Sequence, residues 1–166
     1  MGTDLDINEH LGLLRGLACD DQVHSIVEIG FRTGVSATAL ASAGKPLTCY
    51  DIEPCTAAVQ KLWKLAPNFS FTQADSLKVA IPKCDLLHID SLHTYKHLLA
   101  ELRLHAIRST RWIALHDTET FATKGKDGSQ GGLVDAVERF LEESPDLFQV
   151  YLHLPNNNGM TVLKRR

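Results

Sequence analysis

The sequence predicts an α/β fold: a doubly wound, mostly parallel seven-stranded sheet with a C-terminal antiparallel hairpin. Three observations predict it. Short apolar runs alternate with helical patterns along the chain, which is how strand–helix–strand units read in sequence. The run "KCDLLHID" is apolar almost throughout, as a strand must be when helices cover both faces of its sheet. The last two strand-like runs, "LFQVYLHL" and "GMTVLKR", are separated by "PNNN", a spacing that suits a hairpin.

The elements follow in order. Ile7, Leu11, Leu14 and Leu17 recur at helical spacing, so an amphipathic helix is predicted over Leu5–Cys19. "HSIVEIG" reads as the first strand and the small-residue run "GVSATALASA" as the helix behind it. "KPLTCYDI" is the second strand. Pro54 then suits the start of a helix over "CTAAVQKLWKLA", because the first turn has no use for the N–H that proline lacks. "NFSFTQA" is the third strand and "KCDLLHID" the fourth. A helix over Thr94–Ile107 and the strand "TRWIALHD" complete the parallel part. The polar, glycine-rich stretch "TETFATKGKDGSQGG" reads as a long loop of the kind that borders a site, and "LVDAVERFLEES" as the last helix.

A chain of 166 residues fits one domain, 1–166, with the N-terminal helix in 1–20 and the sheet-based core in 21–166. The net charge of −3 argues against a surface for polyanions, so no nucleic-acid partner is expected. No apolar run approaches the ~18–20 residues that cross a bilayer, so no membrane is expected either. The start "MGTDLDINEH" is acidic and polar, unlike a secretory signal, and Asp6 stands where a myristoylation site wants Ser or Thr. Cys19, Cys49, Cys55 and Cys84 form no C-x-x-C pair and read as scattered small hydrophobes, which fits a reducing, cytoplasmic location.

Right-handed crossovers would bring the C-terminal ends of all the parallel strands to one edge, where ligands bind in open α/β sheets. The residues at those ends are unusual. The first strand delivers Glu28, Gly30 and Gly34, the second Asp51, the third Asp75 and Ser76. The fourth delivers Asp90 with His93 behind it, and the fifth His116 and Asp117. Five strands each sending carboxylates, glycines or histidines to one rim is hard to assign to stability alone. Gly30 and Gly34 let backbone and ligand approach closely. Asp51, 21 residues beyond Gly30 at the end of the neighbouring strand, can accept two hydrogen bonds from a ribose diol. Asp75, one strand further, is placed to reach an adenine edge. Together these describe a nucleoside pocket.

The ordered motifs "VEIGFRTGVSATALA", "CYDIEP", "QADS", "LLHIDSLHTY" and "WIALHDTET" resemble those of class I S-adenosylmethionine-dependent methyltransferases. The resemblance is closest to metal-dependent O-methyltransferases. Catechol-type enzymes share the style of the first motif. Macrolide-sugar O-methyltransferases and the cephalosporin-hydroxylase-like group share "HID-x-x-H-x-Y" and the later "HD". The resemblance implies a Rossmann-like fold. It also implies that Glu28, Gly30, Gly34 and Ser36 hold the methionine half of S-adenosylmethionine, Asp51 the ribose, and Asp75 with Ser76 the adenine. Asp90, His116 and Asp117 would bind a divalent metal, magnesium or manganese, and His93 would be the general base. His116 departs from the pattern, because several relatives carry two oxygen ligands side by side where this chain has His116 and Asp117. Imidazole suits manganese, iron or zinc better than magnesium.

The activity expected is therefore methyl transfer to a hydroxyl of a small molecule. Two alternatives remain at this level: a metallohydrolase built on the His/Asp cluster, and a non-catalytic S-adenosylmethionine-binding protein. His88 reads as a buried, hydrogen-bonded support. Tyr95, Trp63 and Trp112 read as core or rim packing, and His97 and His105 as facing solvent or a subunit contact. Relatives of this type often self-associate, so a homo-oligomer is a further expectation.

Overall fold

The computed structural model describes residues 7–166. Its seven strands are β1 (Ile26–Ile29), β2 (Leu47–Asp51), β3 (Phe69–Gln73), β4 (Cys84–Ile89), β5 (Ser109–His116), β6 (Phe148–Leu154) and β7 (Met160–Arg165). Five α-helices accompany them: α1 (Leu11–Cys19), α2 (Val35–Ala41), α3 (Thr56–Leu65), α4 (Tyr95–His105) and α5 (Leu133–Glu143). The strands form one sheet in the order β3-β2-β1-β4-β5-β7-β6. The first five run parallel, and β7 pairs antiparallel with both β5 and β6. This is the expected doubly wound sheet with its closing hairpin.

Helices cover both faces because both faces of the central strands are apolar. Alternate residues of β1 divide between two cores. Ile26 packs with Leu14, Leu40 and Leu62 of α1–α3, whereas Val27 and Ile29 pack with Leu98, Leu102 and Phe140 of α4 and α5. Each fully buried aliphatic side chain contributes about 1.5–3 kcal/mol. The helix predicted over Leu5–Cys19 opens instead with a 3-10 turn, Asn8–His10, before α1; Leu5 lies outside the described residues. Ile7, Leu14 and Leu17 are buried, as their spacing predicts. Trp112 is buried, but Trp63 on α3 is 56% exposed and belongs to no core. Lys61 and Lys64, beside it in the sequence, are exposed too.

The strand order places the reversal of winding between β1 and β4, the position at which open α/β sheets form a crevice. Gly30 and Asp90 directly follow the two strands that border it. No described helix is long and apolar enough to cross a membrane.

Candidate active site

The crevice floor begins with Gly30, whose φ is +91°. A Cβ built there would stand 1.9 Å from the Asp90 carbonyl oxygen. The two strand ends approach that closely because the side chain is missing. Gly34, with φ +73°, precedes α2 and lies against the Phe31 ring, which a Cβ would meet at 2.9 Å. The loop between them is tied to β2: Asp51 Oδ2 accepts from the amides of Phe31 and Arg32, both at 2.8 Å. Its Oδ1 accepts from Glu53 N at 2.9 Å. Asp51 therefore shapes the first turn, with Oδ2 taken up by two amides and Oδ1 retaining further acceptor capacity.

A cavity of about 380 Å³ opens above this floor, lined among others by Gly30, Asp51, Asp75, Ser76, Asp90 and His97. The volume suits a ligand of nucleoside size or somewhat larger. Asp75 on its wall is engaged by its own turn, with Oδ1 accepting from Leu77 N at 2.9 Å and Oδ2 paired with Lys78 Nζ at 2.9 Å. Its pKa is lowered chiefly by the Lys78 hydrogen bond.

Glu28 and Ser36 do not line the cavity; they lie beneath its floor. Ser36 Oγ donates to Glu28 Oε1, and Cys49 Sγ donates to Oε2 at 3.1 Å. Cys49, Glu28 and His88 are register partners across β2, β1 and β4, so they form a row on one face of the sheet. All three are fully buried. Burial pushes the Glu28 carboxyl up to about 8, against the two hydrogen bonds that lower it, so it is largely neutral near pH 7. Burial likewise drives His88 down to about 4. The His88 Nδ1–H faces the Ala114 carbonyl at 3.1 Å, and Nε2 faces Glu28 Oε1 at 4.0 Å. His88 thus has the supporting role its sequence position suggests.

The ends of β4 and β5 carry the second cluster. His93 Nε2 lies 3.1 Å from Asp90 Oδ1 and 3.1 Å from Asp117 Oδ2. His116 Nδ1 stands 3.5 Å from Asp90 Oδ2 and 3.3 Å from Asp117 Oδ1. Asp117 adopts φ 59°, a left-handed conformation that aspartate tolerates better than most residues, at the point where β5 gives way to the loop. Burial would raise the pKa of Asp90, but hydrogen bonds from His116 and His93 outweigh it and hold the carboxyl well below the usual range. The His93 ring stacks on Phe121 at 5.0 Å, and His116 meets His10 edge-on at 5.4 Å.

The donor set can be tested against a divalent ion. Asp90, His93 and Asp117 offer ligand atoms within 4.8 Å of one another. Two carboxylates and an imidazole fit manganese, iron or zinc more closely than magnesium. The triplet has His93 where the sequence comparison expects a base. His116, the expected ligand, faces the same two carboxylates from the buried side at longer distances.

Sequence reasoning missed His97 and His105, which do not face solvent. His97 lines the cavity, with Nε2 3.2 Å from Ser76 Oγ and 3.1 Å from Glu101 Oε1. His105 is buried, its Nε2 2.8 Å from the Ser76 carbonyl. The signal was the spacing His97, Glu101, His105 at successive i+4 steps, which puts all three on one helix face beside the buried Leu98 and Leu102.

A family model described as a methyltransferase domain matches residues 27–118. No curated protein sequence matches the chain. Among solved structures, the N-methyltransferase NodS from Bradyrhizobium japonicum WM9, in complex with S-adenosyl-L-homocysteine, aligns with TM-score 0.75 and 15% identity, covering 96% of this chain and 87% of that one. Magnesium protoporphyrin IX methyltransferase from Synechocystis PCC 6803 with bound S-adenosylmethionine gives TM-score 0.73 and 15% identity, over 97% and 80% of the two chains. A caffeoyl-CoA O-methyltransferase-like protein from Staphylococcus aureus gives 0.72 and 14%, over 95% and 83%. The fold is thus that of class I S-adenosylmethionine-dependent methyltransferases, and the strand-end cavity lies where such a sheet binds its ligand. The chain belongs to the methyltransferase-domain family whose model spans β1 to the end of β5.

Proposed function

We propose that the chain transfers the methyl group of S-adenosylmethionine to a hydroxyl of a small molecule, assisted by a divalent ion, with His93 as general base. The observation that carries this reading is the adjacency of the 380 Å³ cavity to the Asp90–His93–Asp117 cluster, with Asp90 bordering both. Gly30 and Gly34 would admit the methionine half over a floor stiffened by Glu28 and Ser36. Asp51 would accept the ribose hydroxyls, and Asp75 with Ser76 would border the adenine. The cofactor, when bound, supplies an electrophilic methyl group for in-line displacement, so the chain's main work is positioning.

Asp90 and Asp117 would hold a divalent ion, manganese or magnesium, with His116 behind them; such an ion lowers the pKa of a hydroxyl bound to it. Turned away from Asp90 and Asp117, toward which Nε2–H otherwise points, His93 would in its Nδ1–H tautomer offer Nε2 to the proton of an acceptor hydroxyl. The resulting imidazolium could then swing its Nε2–H back toward Asp90 and Asp117, whose carboxylates would stabilise its charge. His93 Nδ1 has no hydrogen-bond partner among the described residues. A permanent metal ligand usually has its second nitrogen anchored, and this favours the base over the ligand. Family membership leaves the metallohydrolase alternative without support. The four free thiols support a reducing, cytoplasmic setting.

Calorimetric titration of S-adenosylmethionine, with and without manganese, tests the core of this reading. Binding is expected in both conditions, with turnover of small phenols or polyols dependent on the metal. No cofactor binding in either condition would end the proposal; methylation of amines alone would reject the hydroxyl acceptor.

A further inference from the structure

The cofactor cavity has a wall that the strand-end motifs do not account for. Glu101 is a carboxylate in the middle of α4 with no exposed surface at all. Burying such a group is costly unless hydrogen bonds replace its water. Ser91 Oγ donates to both of its oxygens, at 2.8 and 2.7 Å, and His97 Nε2 lies 3.1 Å from Oε1. The same His97 nitrogen lies 3.2 Å from Ser76 Oγ. One buried carboxylate therefore ties together the loop after β3, through Ser76, and the loop after β4, through Ser91. Those loops and His97 itself border the cavity, next to Asp75 and Asp90.

The proton count of this network has a consequence. A carboxylate only accepts, so the His97 Nε2–H points at Glu101 and shares itself with the Ser76 oxygen. Ser76 Oγ is then an acceptor toward His97, and its own hydroxyl hydrogen is available to the cavity. Without His97, Ser76 would lose this orientation and Glu101 would keep Ser91 as its partner.

We infer that His97, anchored by Glu101, is a positioning residue for the cofactor, setting the Ser76 and Ser91 loops to hold the adenosine end. The inference rests on the reading of the cavity as the S-adenosylmethionine site. It also gives cofactor affinity a pH dependence. The Glu101 hydrogen bond, followed by charge interaction with Glu101 and Asp75, raises the His97 pKa above 6.5. Facing groups are Glu101 on α4, Asp75 with its Lys78 partner on the β3–β4 connection, and His105 on the far side of Ser76. While His97 is charged, its bond to Glu101 is charge-assisted and strong; as pH rises through its raised pKa, the tie weakens.

The test is calorimetric binding of S-adenosyl-L-homocysteine, which reacts no further, at roughly pH 6 and pH 9, across which an imidazole titrates. Wild type should bind more weakly at the higher pH. His97→Ala should bind about 10-fold more weakly than wild type at the lower pH, as expected for one lost charge-assisted bond. His97→Gln keeps a donor toward Glu101, so it should recover most of the affinity while losing the pH dependence. Melting curves of each variant separate this from a loss of folding. Wild type that binds, with a folded His97→Ala variant binding equally well or a His97→Gln variant retaining the pH dependence, overturns the inference alone. Wild type that binds at neither pH overturns the cofactor reading and this inference with it.

Discussion

Along one sheet edge, the ends of β1–β3 and one side of the β4 end frame a cavity of about 380 Å³, whereas on its other side the β4 end and the end of β5 turn their polar groups on each other. In the first region backbone does the shaping: Gly30 lets two strand ends touch, and Asp51 fastens a loop through two amides. In the second, four side chains stand 3.1–3.5 Å from one another, and the adjoining space holds only about 10 Å³. The difference teaches how the work is divided. A cofactor shared by a whole class of enzymes can be met by a preformed cavity, at little cost in reorganisation. On the proposed reading of His93 as the base, an acceptor would have to part it from its carboxylates, which would couple proton transfer to the acceptor's arrival.

The hinge between the two regions is Gly30, and breaking it should give the largest effect. Gly30→Ala places a Cβ 1.9 Å from the Asp90 carbonyl at a φ of +91°. Either β1 and β4 separate or the backbone leaves its conformation, so a loss of about 3 kcal/mol or more is expected. In a chain of this size that lowers Tm by roughly 6–12 °C. A melt within a degree or two of wild type would mean that the strand ends need not be so close.

Smaller changes should separate the halves. Asp51→Ala removes the acceptor for ribose and frees the Phe31–Arg32 amides, and cofactor affinity is expected to fall about 100-fold, the equivalent of two charge-assisted bonds. His93→Ala should leave that affinity within about 2-fold and lower turnover by about 10²–10⁴, the usual contribution of a general base. Binding isotherms and initial rates on one acceptor measure both. If each change disturbed binding and turnover alike, the division of the edge would be wrong.

Legibility from the sequence follows the same division. Backbone requirements leave compact marks: apolar runs gave β1–β5 in place, and strand-end Gly30, Asp51, Asp90 and Asp117 fall on one rim because crossovers are right-handed. The α4 wall was not legible as such. His97 and His105 look polar, and polarity in a helix usually means solvent; here Glu101 and His105 are buried and His97 half-buried, and polar residues that share partners cost little to bury. Trp63 failed in the opposite sense, since an apolar ring need not be inside. Nor could the sequence say that Glu28 and Ser36 would bond to each other beneath the floor. That pairing depends on α2 folding back over β1.

The buried Glu28 gives the subtlest test, because it lies under both halves and touches neither ligand region directly. Its pKa in the folded chain, about 8, lies above the ordinary carboxyl value of 4.5. The sign follows: relative to the unfolded chain, the group destabilises nothing below pH 4.5. As pH rises from there to about 8, the unfolded carboxyl ionises while the folded one stays neutral, and stability is lost. Glu28→Gln removes that ionisation and keeps an acceptor for Ser36, and its amide can turn toward His88 Nε2. The variant should therefore match wild type near pH 4.5 and exceed it in denaturant melts at higher pH, by on the order of 4 kcal/mol by pH 8. Cofactor binding should stay unchanged, since the floor keeps its shape. A gain that is equal at both pH values would show that packing, and not the carboxyl proton, governs the row Cys49–Glu28–His88. A loss at high pH would show that the ionised form is bound and stabilised there, and the floor would then belong to the charged machinery of the site above it.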